Sequence, residues 1–462
     1  MHQQSVSLML ASTLSLYCTL LPAAALATGG GSSASNSGAP PAPPIAKVGW
    51  AGKTPPNFSP AYIASGLFGV RVSPSALARP GACVNCSSTL WGFNKPTTSC
   101  LVGGYVYNEP VGATDGQCAG QTGTSPAPFP FETEILVQGA SWPKPASFQA
   151  SVQGPDMDAD PAVVTPLSQS LDMATGELST TVKYGAKDGS WSIELAVLQF
   201  ISQSVPSLGL QQITVTNRSA GLNITIVPKI STFGLPGTAV TSRLPRDAFN
   251  EGQPSVLQMR SNSGAQLAMQ VQTTCLGADH ADAPGKPLAS PCISSHDSDS
   301  LTMQSFHAVV GDASHPEPAF GAVRQAHYGN YRGWVKLRAE NQRVWRENWR
   351  SRVVISGPGV TSPDQAALDA GVFYLLSSAH TASRNGLPID GYSCLEYGGR
   401  MFWDADLWMV PPLAVLSAPA AGAVMSFRGR TVEMAKRNAG LYGLQVKRLL
   451  PFVNRDTLVC SD

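Results

Sequence analysis

The sequence is poor in charge and in the short motifs that announce common chemistries. Only 13% of its 462 residues are charged, and 31 Lys and Arg stand against 30 Asp and Glu, a formal net charge of +1. Such a chain offers no field of one sign, which sets aside nucleic acid and anionic lipid as partners. Its seven histidines are scattered, with no H-x-x-x-H or H-E-x-x-H spacing, so no metal site is expected. His280 and His296 fall in an Asp/Ser/Gly-rich stretch and read as solvated. There is no Rossmann glycine fingerprint, no phosphate-cradling G-x-x-x-x-G-K-[ST] run and no G-x-S-x-G nucleophile elbow, so no cofactor is implied. Internal repeats are missing too, and no apolar run after residue 27 is long enough to span a bilayer.

Turn-forming residues are plentiful: 44 Gly and 37 Pro. With so few charged residues to solvate helix surfaces, they predict a β-rich chain, and the length predicts more than one domain. The apolar run Leu8–Leu21, then Pro22 and Ala25-Leu26-Ala27, reads as a signal peptide over residues 1–27. A Gly/Ser/Ala/Pro leader follows over 28–46. Cysteine usage agrees with export. Cys18 leaves with the signal; Cys83, Cys86, Cys100 and Cys118 cluster, and Cys275 and Cys292 flank a second loop-rich stretch. A lone C-x-x-C with no His nearby favours disulfides within the first cluster, and between Cys275 and Cys292, over zinc. Cys394 and Cys460 have no obvious partners, and N-x-S/T sequons begin at Asn57, Asn85, Asn217 and Asn223.

From about Val48 to Val310, short apolar runs alternate with Gly/Pro/Asn/Asp turns. The segments 134–138, 192–200, 212–216 and 223–227 carry period-two patterning and β-branched residues, which predicts half-buried antiparallel strands in a large sandwich. The character changes near Pro318. Trp334, Trp345 and Trp349 lie among charged and amide residues without proline, which reads as a helical linker with Trp345 and Trp349 sharing one face. Ser362-Pro-Asp-Gln365 offers a cap and a first-turn proline for a helix to about His380, and further helices are expected from near Asp404 and near Val424.

The densest group of aromatics and carboxylates is Phe402-Trp-Asp-Ala-Asp-Leu-Trp-Met-Val-Pro-Pro412. Sugar C–H faces pack on aromatic rings, and vicinal hydroxyls bind a carboxylate pairwise, so Trp403 beside Asp404 suits a monosaccharide. The competing reading makes Asp404 a helix cap and the aromatics core. This segment resembles the glucose-contacting signature of glycoside hydrolase family 65, which holds acid trehalases, the glucosidase of glucosylgalactosyl-hydroxylysine and disaccharide phosphorylases. Four further blocks in the same order are similar to that family: Ala61–Arg71, Leu101–Pro110, Leu171–Leu178 and Asp369–Ser378.

The resemblance implies an N-terminal antiparallel β-supersandwich (47–315), a helical linker (316–355) and an incomplete (α/α)6 barrel (356–462). It carries glucose binding onto Trp403 and Asp404 and leaves Trp408 a packing role. Two departures stand out. Asp406 stands where many members have Glu, and after Asn438-Ala-Gly-Leu-Tyr-Gly443 the text leaves the family's pattern before either catalytic carboxylate is reached. No catalytic residue is therefore identified. Glu433, among Arg428, Arg430, Lys436 and Arg437, reads as helix surface. The implied function is a secreted, extracellular or vacuolar-lumen hydrolase of α-glucosides of the trehalose or glucosyl-galactosyl type, inverting, with no membrane partner once the signal is cleaved. This chain is expected to be inactive. The alternatives are a phosphorylase of the same family and a non-catalytic carbohydrate-binding sandwich. An incomplete barrel is further expected to leave Leu368, Phe373 and Leu376 in water.

Overall fold

The computed structural model describes residues 44–54, 60–77, 100–108, 122–137, 140–142, 162–232, 235–244, 255–277, 291–294, 301–393 and 399–441. The signal, residues 28–43 of the leader, Cys83, Cys86, Cys118, Cys394, Cys460, His280, His296, Asn57 and Asn85 lie outside them.

Strands are numbered along the chain. One nine-stranded sheet runs in the spatial order β1 (Lys47–Ala51), β8 (Ala162–Asp172), β9 (Glu177–Ala186), β10 (Ser192–Ile201), β11 (Leu208–Arg218), β17 (Thr302–Gly311), β15 (Gln266–Leu276), β14 (Ser255–Arg260), β13 (Thr238–Arg243). A four-stranded sheet orders β16 (Cys292–Ser294), β12 (Ile224–Pro228), β6 (Thr133–Val137), β7 (Ala140–Trp142). A second orders β2 (Ala61–Ala64), β3 (Phe68–Val72), β4 (Cys100–Asn108), β5 (Thr122–Pro126). Each pairing is antiparallel, and the large sheet packs against the two small ones as a sandwich. Of the four segments read as strands, 192–200 and 212–216 lie wholly in strands, 223–227 enters β12 at Ile224, and 134–137 lies in β6 with residue 138 outside the described residues.

Alternation explains why the large sheet is buried on both faces. In β10, Ile193, Leu195 and Val197 enter the core shared with the small sheets, while Phe200 belongs to a second core on the opposite face. There helix α1 (Pro318–Arg332) lays Ala322, Val323 and Ala326 on Leu208, Leu210, Phe306 and Ala308. The sandwich core also holds polar groups. Gln211 accepts from Thr133 Oγ1 at 2.9 Å and donates to the Phe131 carbonyl at 3.1 Å, and Ser305 Oγ lies 2.7 Å from His307 Nε2. His307 is fully buried with Nδ1 unpartnered, and burial lowers its pKa from 6.5 to about 3.

The linker is two helices. Gly333, at φ +80°, ends α1 and starts α2 (Trp334–Asn348), a backbone conformation that side chains resist. The expected shared face of Trp345 and Trp349 is present: both are buried, and Trp349 Nε1 donates to the Met173 carbonyl at 2.9 Å. Helix α3 spans Ser362–Ser378. Its cap is Thr361 rather than Ser362, because the Asp364 carboxylate reaches back to the Thr361 amide at 2.8 Å in a capping box.

Three expectations fail here. Leu368, Phe373 and Leu376 are buried, since Phe373 stacks on Trp345 with centroids 4.8 Å apart and so joins α3 to the sandwich core. The helix expected near Val424 starts earlier, α4 being Val410–Leu416 and α5 Ala418–Leu441, because Ser417 is the only break after Pro411-Pro412. Cys100 is a free thiol buried in β4 and takes no part in the bridging expected of its cluster, whose other members lie outside the described residues. The disulfide Cys275–Cys292 is formed, with Cα atoms 5.6 Å apart, and Asn223 is exposed.

Candidate sugar site

Each of the five similar blocks contributes residues to the sandwich core, among them Ile63, Val102, Leu171, Phe373 and Ala405. Block Ala61–Arg71 forms β2, a turn and β3, and this sheet edge carries the segment that leads into residues 399–404. Tyr62 Oη shares a hydrogen bond with Ser378 Oγ at 3.1 Å and accepts from the Tyr392 amide at 3.2 Å. The approach is close: a Cβ added at Gly69 would sit 2.8 Å from Tyr392 Cβ. Arg71 Nε donates to the Ser393 carbonyl, and Thr124 Oγ1 to the Gly399 carbonyl at 2.8 Å. The sandwich thus fixes both ends of the segment before the aromatic-rich run begins.

That run does not form an ordinary helix. Residues 405–409 are a π-helical turn, closed by the Val410 amide donating to the Ala405 carbonyl, five residues back. The turn is oriented by α5. Arg428 Nε donates to Asp406 Oδ2 at 3.0 Å, and its Nη2 donates to the carbonyls of Phe402 at 3.0 Å and Met401 at 3.3 Å. Burial raises the Asp406 pKa above the ordinary carboxylate range, and the Arg428 guanidinium only partly offsets it. Ala405 and Met401 are buried beneath.

With its inner side pinned, the turn presents Trp403 and Trp408, each 47% exposed, and Leu407 to solvent. Asp404 precedes the turn in helical geometry, φ −55° and ψ −40°, and caps nothing. Among the described residues its carboxylate has no hydrogen-bond partner. One reading is corrected here. Trp408 does not pack, because the wider π turn leaves it on the solvent side with Trp403. Arg428, named before only as a neighbour of Glu433, is 6% exposed and ion-paired. Glu433 is surface as expected, exposed and paired with Lys436 at 2.8 Å. Sequence reasoning missed Arg428 as a site residue; its spacing of 22 from Asp406 carries no local signal.

The sandwich holds the segment before Trp403 and Asp404, and α5 holds the turn after them. The sequence matches the N-terminal domain of glycosyl hydrolase family 65 over residues 136–348 and that family's central catalytic domain over 369–454. The chain belongs to glycosyl hydrolase family 65. It is 24% identical over 301 residues to a kojibiose hydrolase of Mucilaginibacter mallensis, covering 61% of this chain and 42% of the relative. It is 33% identical over 120 residues to the periplasmic acid trehalase of Saccharomyces cerevisiae, covering 25% and 10%. It is 35% identical over 120 residues to the protein-glucosylgalactosylhydroxylysine glucosidase of Danio rerio, covering 23% and 18%. Among solved structures, a protein assigned as a kojibiose phosphorylase from the human microbiome shares the fold, with a TM-score of 0.63 at 14% identity over 85% of this chain and 50% of that one. The chain spans less than half the length of the curated relatives it matches.

Proposed function

We propose that the protein is a secreted member of the family acting on an α-glucoside, and that Trp403 and Asp404 form half of its glucose subsite. The observation that carries this reading is the unengaged Asp404 carboxylate beside the half-exposed Trp403 ring, on a turn whose other side is pinned. A carboxylate with free lone pairs can accept two vicinal hydroxyls while the indole covers the sugar's C–H face. The capping reading of Asp404 finds no hydrogen bond to support it. The organisation we assign is a sandwich over 47–315, a connector over 316–355 and part of an (α/α)6 barrel over 356–462. Similarity to a periplasmic trehalase and the apolar run before residue 27 support export.

Inverting hydrolysis needs one carboxylic acid for the leaving oxygen and a second carboxylate to activate water. The acids of 399–441 are Asp404, Asp406 and Glu433, and the last two are ion-paired. Asp404 alone is available, and it is assigned to binding. Residues 399–441 are therefore expected to supply glucose binding and not the acid or base, and general acid help alone is worth about 10²–10⁴ in rate.

Titration with glucose, followed by tryptophan fluorescence, tests this. Asp404→Asn should weaken binding by about 10- to 100-fold, the range of a hydrogen bond to a charged group. The fold should be untouched, because the side chain caps nothing. Affinity within twofold of wild type would refute sugar anchoring by Asp404. Release of glucose by these residues, with phosphate dependence separating phosphorolysis from hydrolysis, would show that the catalytic carboxylates lie among them.

A further inference from the structure

We infer that Arg428 and Asp406 are positioning residues for the sugar site, a buried ionic clamp that sets the direction of Trp403 and Asp404. The inference rests on the glucose-site reading. Arg428, on α5, grips the backbone on one side of the pair through the Met401 and Phe402 carbonyls, and the turn on the other side through Asp406. Trp403 and Asp404 thus sit between two anchor points held by one planar guanidinium, and neither end can rotate without breaking a hydrogen bond.

Energetics argue that the pair is there for direction rather than for stability. Arg428 and Asp406 side chains are only 8% and 14% exposed, and Arg428 Nη1 is buried with no acceptor. Desolvating both charges offsets most of their attraction, and apolar replacement of such pairs is often neutral or stabilising in other proteins. Packed apolar side chains at the same positions would remove both buried charges, while the Met401 and Phe402 carbonyls would lose this donor. What apolar groups cannot do is hold two carbonyls and a carboxylate in fixed directions at once. A lysine cannot either, since one ammonium lacks the fork. The clamp also gives the acid after Trp-Asp-Ala a purpose separate from catalysis: Asp406 is spent on Arg428.

The test uses the full chain and the double variant Arg428→Met/Asp406→Leu, which leaves no buried charge unpaired. Two readouts are needed, amide exchange across 403–410 and glucose titration. The double variant should still melt cooperatively, exchange those amides at least tenfold faster with β10 and β11 unchanged, and bind glucose at least tenfold more weakly. Exchange within twofold of wild type, or glucose affinity within twofold, overturns the clamp. Should the double variant not fold, Arg428→Lys decides by the same exchange criterion, since it keeps the charge and loses the fork. A wild-type chain that binds no glucose sinks the sugar-site reading instead, and the exchange result still judges the clamp.

Discussion

Phe373→Ala tests whether the first helix after the connector belongs to the sandwich's folding unit. Phe373 is 1% exposed and stacks at 21° on Trp345, which is equally buried. Trp345 in turn lies against the β8–β9 turn, where a Cβ added at Gly176 would overlap its indole. The path from sandwich turn to α2 to α3 is therefore one continuous apolar contact. Truncating a buried Phe costs about 3–5 kcal/mol from lost transfer energy and the cavity left behind. Losing an aromatic pair adds about 0.5–1.5 kcal/mol. Against a total stability of about 5–15 kcal/mol, this should shift the whole transition. Urea unfolding followed by far- and near-ultraviolet circular dichroism reads strand, helix and packing together. The expected result is one transition, moved to lower urea by at least 3 kcal/mol. Val415→Ala, at a site 71% exposed, should stay within about 0.5 kcal/mol as a control. A separate early loss of helical signal, with the remaining transition unmoved, would show that α3 merely rests on the sandwich.

Two further outcomes follow from the core. His307 stays neutral in the fold down to about pH 3 while the unfolded chain protonates near 6.5, so stability falls on acidification across that window. By pH 4.5 the loss from this group is about 2.5 kcal/mol, and His307→Gln should flatten the acid limb of a stability–pH curve; an unchanged limb would mean His307 is protonated in the fold. Reducing Cys275–Cys292, which closes a separation of 17 residues, should cost about 3 kcal/mol in chemical denaturation, and a loss under 1 kcal/mol would show that pairing of β12 with β16 already restrains that loop.

The strands were legible because their signal is local. Ser192–Ile201 alternates over its first eight residues, and the pleat turns that alternation directly into burial. Trp345 and Trp349 were legible because four residues is one helical turn. The features that define the site were not, because each depends on a partner far along the chain. Nothing in Ala405–Met409 encodes a π turn; Arg428 imposes the inner anchor from another helix. A run rich in Arg and Lys reads as surface, so Arg428 hid among Arg430, Lys436 and Arg437 until its 6% exposure was visible. Phe373 was expected to lack cover because its cover, Trp345, comes from the connector rather than from a neighbouring barrel helix.

Tyr62 bonds Ser378 and Tyr392, which lie 316 and 330 positions later. During synthesis at about 5–20 residues per second, the sheet edge that carries Tyr62 waits on the order of 15–70 s for those partners to emerge. Throughout that interval its closely fitted glycine surface, Gly66 and Gly69 included, is open to any other chain.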